Sequence, residues 1–360
     1  MARSFTFEAL PGRVVFGPRA SRERLAAEVD RLGASHLLLI ATERERARAE
    51  ELSAVLGDRV AGRFTDVRPH VPAEVAERAR AAAREAGADA LLSIGGGSTT
   101  GTAKAVALEA ALPIVAVPTT YAGSEVTPVW GMTEGRRKTT GTDPRVLPRV
   151  VVYDPELTFT LPPAITGPSA MNALAHCVEA FYGPGANPIT ALVAEEGIRA
   201  LAAGVPVAVS RPHEPDGRSE TLYGAYLAGA AFAVSGSGLH HKICHVLGGA
   251  YDLPHAELHT VVLPQVVAFQ APALPDVMER VARALGGYGR DGAAAGLHEL
   301  ALAIGAPTAL RDIGMREEDL DEAAGLVLEK VPDDNPRPVS EDDVRQLLQA
   351  AFEGRRPAGG

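Results

Sequence analysis

Short apolar runs alternate with amphipathic stretches over the first 160 residues. Arg13–Phe16 reads as a strand, and Ala20–Leu32 places Leu25, Val29 and Leu32 on one helical face. His36–Ala41 (HLLLIA) is uninterruptedly apolar, as a strand covered on both faces requires. Arg44–Leu56 is helical again, Arg59–Thr65 is strand-like, and Pro69 and Pro72 break the chain. The Ala-, Glu- and Arg-rich stretch Pro72–Ala86 predicts a helix closed by Gly87. Ala90–Ile94 (ALLSI) is a second buried strand, and it runs into Gly95-Gly96-Gly97-Ser98. A helix over Gly101–Ala111 and a strand over Ile114–Val117 follow. Strands and helices joined by short connections predict a parallel sheet covered by helices.

The pattern changes at Pro162–Pro163. Beyond it come helical runs at Pro168–Tyr182, Pro188–Ala203, Glu214–Val234, Gly238–Gly248, Leu258–Ala271, Pro275–Leu285, Asp291–Ile304, Glu317–Leu328 and Ser340–Phe352. Strand-like alternation is nearly absent there. The expected architecture is an α/β N-terminal dinucleotide-binding domain with a parallel sheet (1–160) and an all-α C-terminal substrate and catalytic domain (161–360). The active site is expected in the cleft between them. The Gly354–Gly360 tail is expected to fray.

Charge and cysteine narrow the class. Thirty-five basic against 45 acidic residues leave a net charge of −10, which argues against a nucleic-acid partner. Only four basic residues are lysines: Lys104, Lys138, Lys242 and Lys330. No apolar run reaches the length of a membrane span, since Tyr226–Val234 ends at Ser-Gly-Ser-Gly. Met1–Phe16 mixes charged with apolar residues and does not read as a secretory leader. Cys177 and Cys244 form no CxxC pair and read as reduced, buried thiols of a cytoplasmic protein.

Two turns carry candidate chemistry. A strand, then Gly95–Ser98, then a helix lets the backbone approach an anion at a helix N-terminus, with Ser98, Thr99 and Thr100 as added donors. Thr119-Thr120-Tyr121-Ala122-Gly123-Ser124-Glu125 follows the strand Ile114–Val117, so both turns fall at carboxyl ends of strands, where such sheets gather ligands. After HLLLIA come Thr42, Glu43, Arg44, Glu45 and Arg46. That mixture suits either the ribose hydroxyl of NADH or the phosphate of NADPH.

Histidines supply the third signal. Five of the ten lie between residues 240 and 259, and another is His176. Asn172 and His176 are four apart on one predicted helix, His241 and His245 on another, and His255 follows in a predicted loop. Three histidines with a carboxylate would suit a first-row metal, but position 172 holds an amide, a neutral and weak ligand. His240 and His259 are left open.

These motifs resemble the iron-containing (group III) alcohol dehydrogenase family, whose fold is dehydroquinate synthase-like. The resemblance covers nearly the full length: GGGSTTGTAKAVAL (Gly95–Leu108), PTTYAGSEVTPVWGMTEGRRKTTG (Pro118–Gly141), MNALAHCVEA (Met171–Ala180), HHKICHVLGGAYDLPHAE (His240–Glu257) and NPRPVS (Asn335–Ser340). The family's metal-binding Asp matches Asn172, a substitution typical of its maleylacetate reductase subgroup, which the chain looks most like. The resemblance implies reduction of maleylacetate to 3-oxoadipate with NADH or NADPH in aromatic-compound breakdown, with no metal expected. It implies a cofactor held by Thr42, Gly95, Gly96, Gly97, Ser98, Thr99, Lys104, Thr119, Thr120 and Ser124. Catalysis would use His176, His241, Lys242 and His245. Asn172, His176, His241, His255 and Tyr121 would shape the pocket, and a metal, if bound, would use Asn172, His176, His241 and His255. A homodimer is implied, with Arg3–Gly17 as a candidate interface strand and a small dicarboxylate as the partner ligand. Two alternatives remain: a metal-dependent alcohol or polyol dehydrogenase, and a biosynthetic homologue acting on another substrate, suggested by Ser235-Gly236-Ser237.

Overall fold

The computed structural model describes residues 5–135 and 137–358, without the side chains of Arg137 and Lys138. The expectations for Lys138 and for the outer ends of Arg3–Gly17 and Gly354–Gly360 lie outside the described residues. The chain divides into two compact units. Leu10–Leu161 form one, and Pro162 onward forms the other together with the segment before Leu10. That leading segment was expected in the α/β part. Among the described residues the ladder begins with the Arg13 amide donating to the Arg149 carbonyl.

The first unit holds β1 (Arg13–Phe16), α1 (Ala20–Glu23), α2 (Leu25–Leu32), β2 (Leu37–Ala41), α3 (Arg46–Leu56), β3 (Val60–Phe64), α4 (Ala73–Glu85), β4 (Ala90–Gly95), α5 (Gly97–Ala110), β5 (Ile114–Pro118), β6 (Val129–Glu134), β7 (Arg137–Thr142) and β8 (Val150–Tyr153). Six strands form one parallel sheet in the order β1-β8-β5-β4-β2-β3. β2, β4, β5 and β8 are wholly buried. Their alternate residues feed two cores: Leu37, Leu39, Leu92 and Val115 meet Leu25, Val29 and Leu52, while Leu38, Ile40 and Leu91 meet Val75, Ala79 and Val106. Burial on both faces explains why these strands read as apolar runs. The strands β6 and β7 pair as an antiparallel hairpin, and neither was anticipated.

The second unit is helical: α6 (Pro163–Glu179), α7 (Pro188–Ser210), α8 (Pro215–Ser235), α9 (Leu239–Tyr251), α10 (His255–Gln270), α11 (Pro275–Ala284), α12 (Ala293–Ala303), α13 (Leu320–Leu328) and α14 (Glu341–Glu353). Its helices start on strong signals. Asn187 caps α7 through the Ile189 and Thr190 amides, and Ser340 caps α14 reciprocally with Asp343. α7 and α8 pack closely because Gly204 has no Cβ; one there would stand 2.6 Å from the Thr221 amide. Among the described residues no single helix is long and apolar enough to cross a membrane.

Candidate active site

In the first unit the strand order reverses between β2 and β4, which is where ligands bind in such sheets. Thr42 ends the β2 side and Gly95–Gly97 end the β4 side. The helix expected from Gly101 begins at Gly97, so the glycine motif itself forms the N-terminal turn of α5. Thr99 and Thr100 amides close on the Gly96 carbonyl, leaving Gly97 and Ser98 as outward donors at the positive end of the helix. Gly95 has φ +147°, and a Cβ there would stand 2.5 Å from Thr99 Oγ1. The threonine therefore lies packed under the turn. Thr99 is 1% exposed and supports the turn instead of offering its hydroxyl to a ligand, a correction to its expected role.

The second motif covers the first. The Thr119 amide donates to the Gly95 carbonyl at 3.1 Å, and Thr119 Oγ1 donates to Glu45 at 3.1 Å. Thr120 packs on Gly96, where a Cβ would stand 2.9 Å from its Oγ1, and Ala122 lies over Gly97. Gly123 has φ +75° and starts a short turn over Ser124–Val126. Glu45 is thus engaged by Thr119 and Arg48, while exposed Glu43 pairs with Arg46. Tyr121 is wholly buried, so the expected pocket-lining ring has no accessible face.

Lys104 needs the largest correction. Its ammonium is fully buried and donates to the Thr127 carbonyl (2.8 Å), Thr127 Oγ1 (3.0 Å) and the Val129 carbonyl (2.7 Å). All three protons are spent inside the protein, so it is not a direct phosphate ligand. Burial lowers its pKa to about 7, and Glu125 opposes that. Glu125 is also buried and accepts the Tyr153 hydroxyl at 2.7 Å; burial raises its carboxyl above the usual range.

In the second unit, α6 presents Asn172, His176 and Glu179 along one face, α9 presents His240, His241, Lys242 and His245, and α10 presents His255 and His259. His255 is the first residue of a helix and not a loop residue. Glu179, absent from the sequence reading, organises this cluster. Its buried carboxylate accepts the Gly238 and His240 amides (2.9 and 2.7 Å) and His241 Nδ1 (2.5 Å). Burial raises its pKa, and these amide bonds at the start of α9 oppose the rise. With Nδ1–H bound to Glu179, the His241 Nε2 carries a lone pair. Burial also holds His241 well below the usual imidazole range. In that tautomer Nε2 is an acceptor. Phe232 of α8, also unforeseen, stacks on His176 (4.5 Å) and packs tilted against His241 (4.6 Å). His240 Nε2 and His259 Nδ1 bond each other at 2.9 Å, which accounts for one nitrogen of each. His245 and His255 are exposed, with His245 one turn from His241, and Lys242 is half-buried.

Among the described residues, buried side-chain atoms without partners concentrate here. Asn172 Oδ1, His176 Nδ1, Tyr182 OH, His240 Nδ1, His241 Nε2 and His259 Nε2 have none; outside this unit only Ser93 Oγ joins them. Such groups are costly unless they serve a ligand or ordered water, so the cluster is the candidate site of the helical unit.

A nucleotide-type turn on a parallel sheet and a histidine-lined helical unit define an oxidoreductase of two-part construction. Residues 11–155 match the iron-containing alcohol dehydrogenase model, and residues 166–352 match the C-terminal model of the Fe-containing alcohol dehydrogenase family. The chain is 47% identical to the maleylacetate reductase of Burkholderia cepacia, covering 99% of each. It is 51% identical to maleylacetate reductase 2 of Cupriavidus pinatubonensis, over 97% of this chain and 96% of that one. The crystal structure of maleylacetate reductase from Agrobacterium tumefaciens superposes with a TM-score of 0.95 at 45% identity, covering 99% of this chain and 100% of that one. The chain belongs to the iron-containing alcohol dehydrogenase family.

The family name implies a metal, and the residues do not fit one well. The matching set Asn172, His176, His241 and His255 has no anionic ligand. Among the described residues, the trio that does bring its donor atoms within 4.8 Å of one another is His240, His241 and His259, two of which already bond each other. No step below passes through a metal.

Proposed function

We propose that this chain reduces maleylacetate to 3-oxoadipate with NADH or NADPH, in the breakdown of aromatic compounds and without a catalytic metal. The observation carrying this reading is near-half identity to maleylacetate reductases from end to end, together with Asn172 in place of a carboxylate ligand. The glycine turn, Thr42, Thr120 and Ser124 would hold the cofactor, and NADH is named first because Glu43 stands exposed after β2.

A hydride added to an alkene conjugated with a ketone leaves an enolate, and a proton must then reach the neighbouring carbon. The enolate needs a donor close by. His241 offers a lone pair, so it orients and accepts. His245 and Lys242, one turn and one residue further along α9, are the donors this reading assigns. Half-buried Lys242 pairs with no acidic side chain among the described residues, which leaves its charge for a substrate carboxylate. His176, stacked on Phe232, shapes the pocket with Asn172 and His255.

The test is oxidation of NADH and NADPH with maleylacetate, with and without EDTA. Turnover that survives EDTA is expected. Failure with both cofactors removes the substrate assignment, and loss on chelation with stoichiometric zinc or iron favours a metal-dependent dehydrogenase. A homodimer belongs to the same reading, supported by exposed Phe16 on the edge strand β1 and by exposed Phe5 and Phe7; the mass in solution checks it.

A further inference from the structure

The buried Lys104–Glu125–Tyr153 group has no place in the chemistry above, yet it ties together every part of the cofactor turn. Lys104 sits seven residues into the helix that the glycine motif opens. Its three bonds go to the end of the Thr119–Val129 segment, the same segment whose front covers Gly95, Gly96 and Gly97. Thr127 passes the restraint on, because its Oγ1 accepts from Lys104 and donates to the Ser124 carbonyl at 3.3 Å. Glu125 faces inward and is fixed from β8 by Tyr153. The segment is thereby held at the front by Thr119 and at the rear by one ammonium.

We propose that Lys104 is a positioning residue for the cofactor: it clamps the Thr119–Val129 segment to α5, so that the two turns keep one geometry for the dinucleotide. The inference rests on the cofactor reading above and deepens it. A buried ammonium serving three acceptors is suited to this task. It is compact, it has one proton for each acceptor, and a guanidinium fork could not meet the same three directions. Glu125 is the charged group acting on it, and Tyr153 acts through Glu125. Arg80 of α4 also packs on α5, bonding the Ala105 carbonyl and pairing with Glu109.

Loss of the proton removes one donor and sets a lone pair against a carbonyl, so cofactor affinity is expected to fall as pH rises through about 7. The experiment is calorimetric titration of the full chain with NADH and NADPH, without maleylacetate, for Lys104→Met and Thr127→Val across pH 6 to 9 (a range of roughly one to two units either side of neutrality). Lys104→Met is expected to weaken binding about tenfold or more, and Thr127→Val about threefold, while kcat at saturating cofactor stays within about threefold. Lys104→Met should also abolish the pH dependence. Unchanged affinity in both variants, or a pH profile that persists in Lys104→Met, overturns the clamp. Reduced kcat with unchanged affinity overturns it too. If Lys104→Met does not fold, Thr127→Val decides. A wild-type chain that binds neither cofactor overturns the cofactor reading and this inference together, whereas wild-type binding with unaltered variants overturns this inference alone.

Discussion

Glu179 does two jobs with one carboxylate: it satisfies the first amides of α9 and sets which nitrogen of His241 is free. Glu179→Gln keeps the shape and removes the charge. We expect it to cost about 1–3 kcal/mol in urea unfolding, because a buried acceptor network loses its strongest member. It should also lower kcat/KM for maleylacetate, since the amide leaves the His241 tautomer unfixed. A different substitution probes the neutral ligand set. Asn172→Asp puts a carboxylate one helical turn before His176, whose ring stacks on His241 at 5.1 Å. It is expected to gain affinity for cobalt or zinc, read by metal titration and by visible absorption of the cobalt form. Equal metal affinity in the variant and the wild type would refute that. The histidines were legible because i, i+4 spacing is local. Glu179 and Phe232 were not, because their partners lie far along the chain: Glu179 meets Gly238 across 59 residues. Lys104 was legible as unusual, but the direction its ammonium takes depends on a segment more than twenty residues away.

Among elements, the glycine turn and the Thr119–Ser124 segment behave as one lip. Gly96→Ala would drive a methyl to 2.9 Å from Thr120 Oγ1 and 3.0 Å from its Cγ2. The expected result is a rise in cofactor KM of about tenfold with little change in unfolding midpoint. By contrast, Asn187→Ala removes the capping box of α7. It should cost about 1 kcal/mol of stability and leave the cofactor KM unchanged. The buried strands announced themselves as apolar runs, and the long helices of the second unit were legible from their periodicity. The hairpin was not: Val129–Glu134 is largely half-exposed, Thr139, Thr140 and Thr142 are exposed, and Gly131 and Gly141 interrupt the residues that would mark strands. The start of α5 was placed four residues late because glycines normally signal turns, whereas here they are the first turn of the helix.

For the whole molecule, the buried lysine couples folding to pH. Lys104 has a folded pKa of about 7 against 10.5 when unfolded. Between those values the unfolded chain holds a proton that the native chain has released, so stability rises with pH across that window. Below about 7 both states are protonated and the burial penalty is present in full. The urea midpoint of the wild type, measured relative to Lys104→Met, should therefore increase from pH 7 toward pH 10. A constant difference would mean the ammonium is not buried as described. The same hairpin carries the chain's single tryptophan. Trp130 follows Val129, whose carbonyl Lys104 holds, and its indole lies across Gly141 on the opposite strand. Its emission therefore comes from one place only, so the protein has a built-in optical gauge of whether the hairpin stays seated on its lysine.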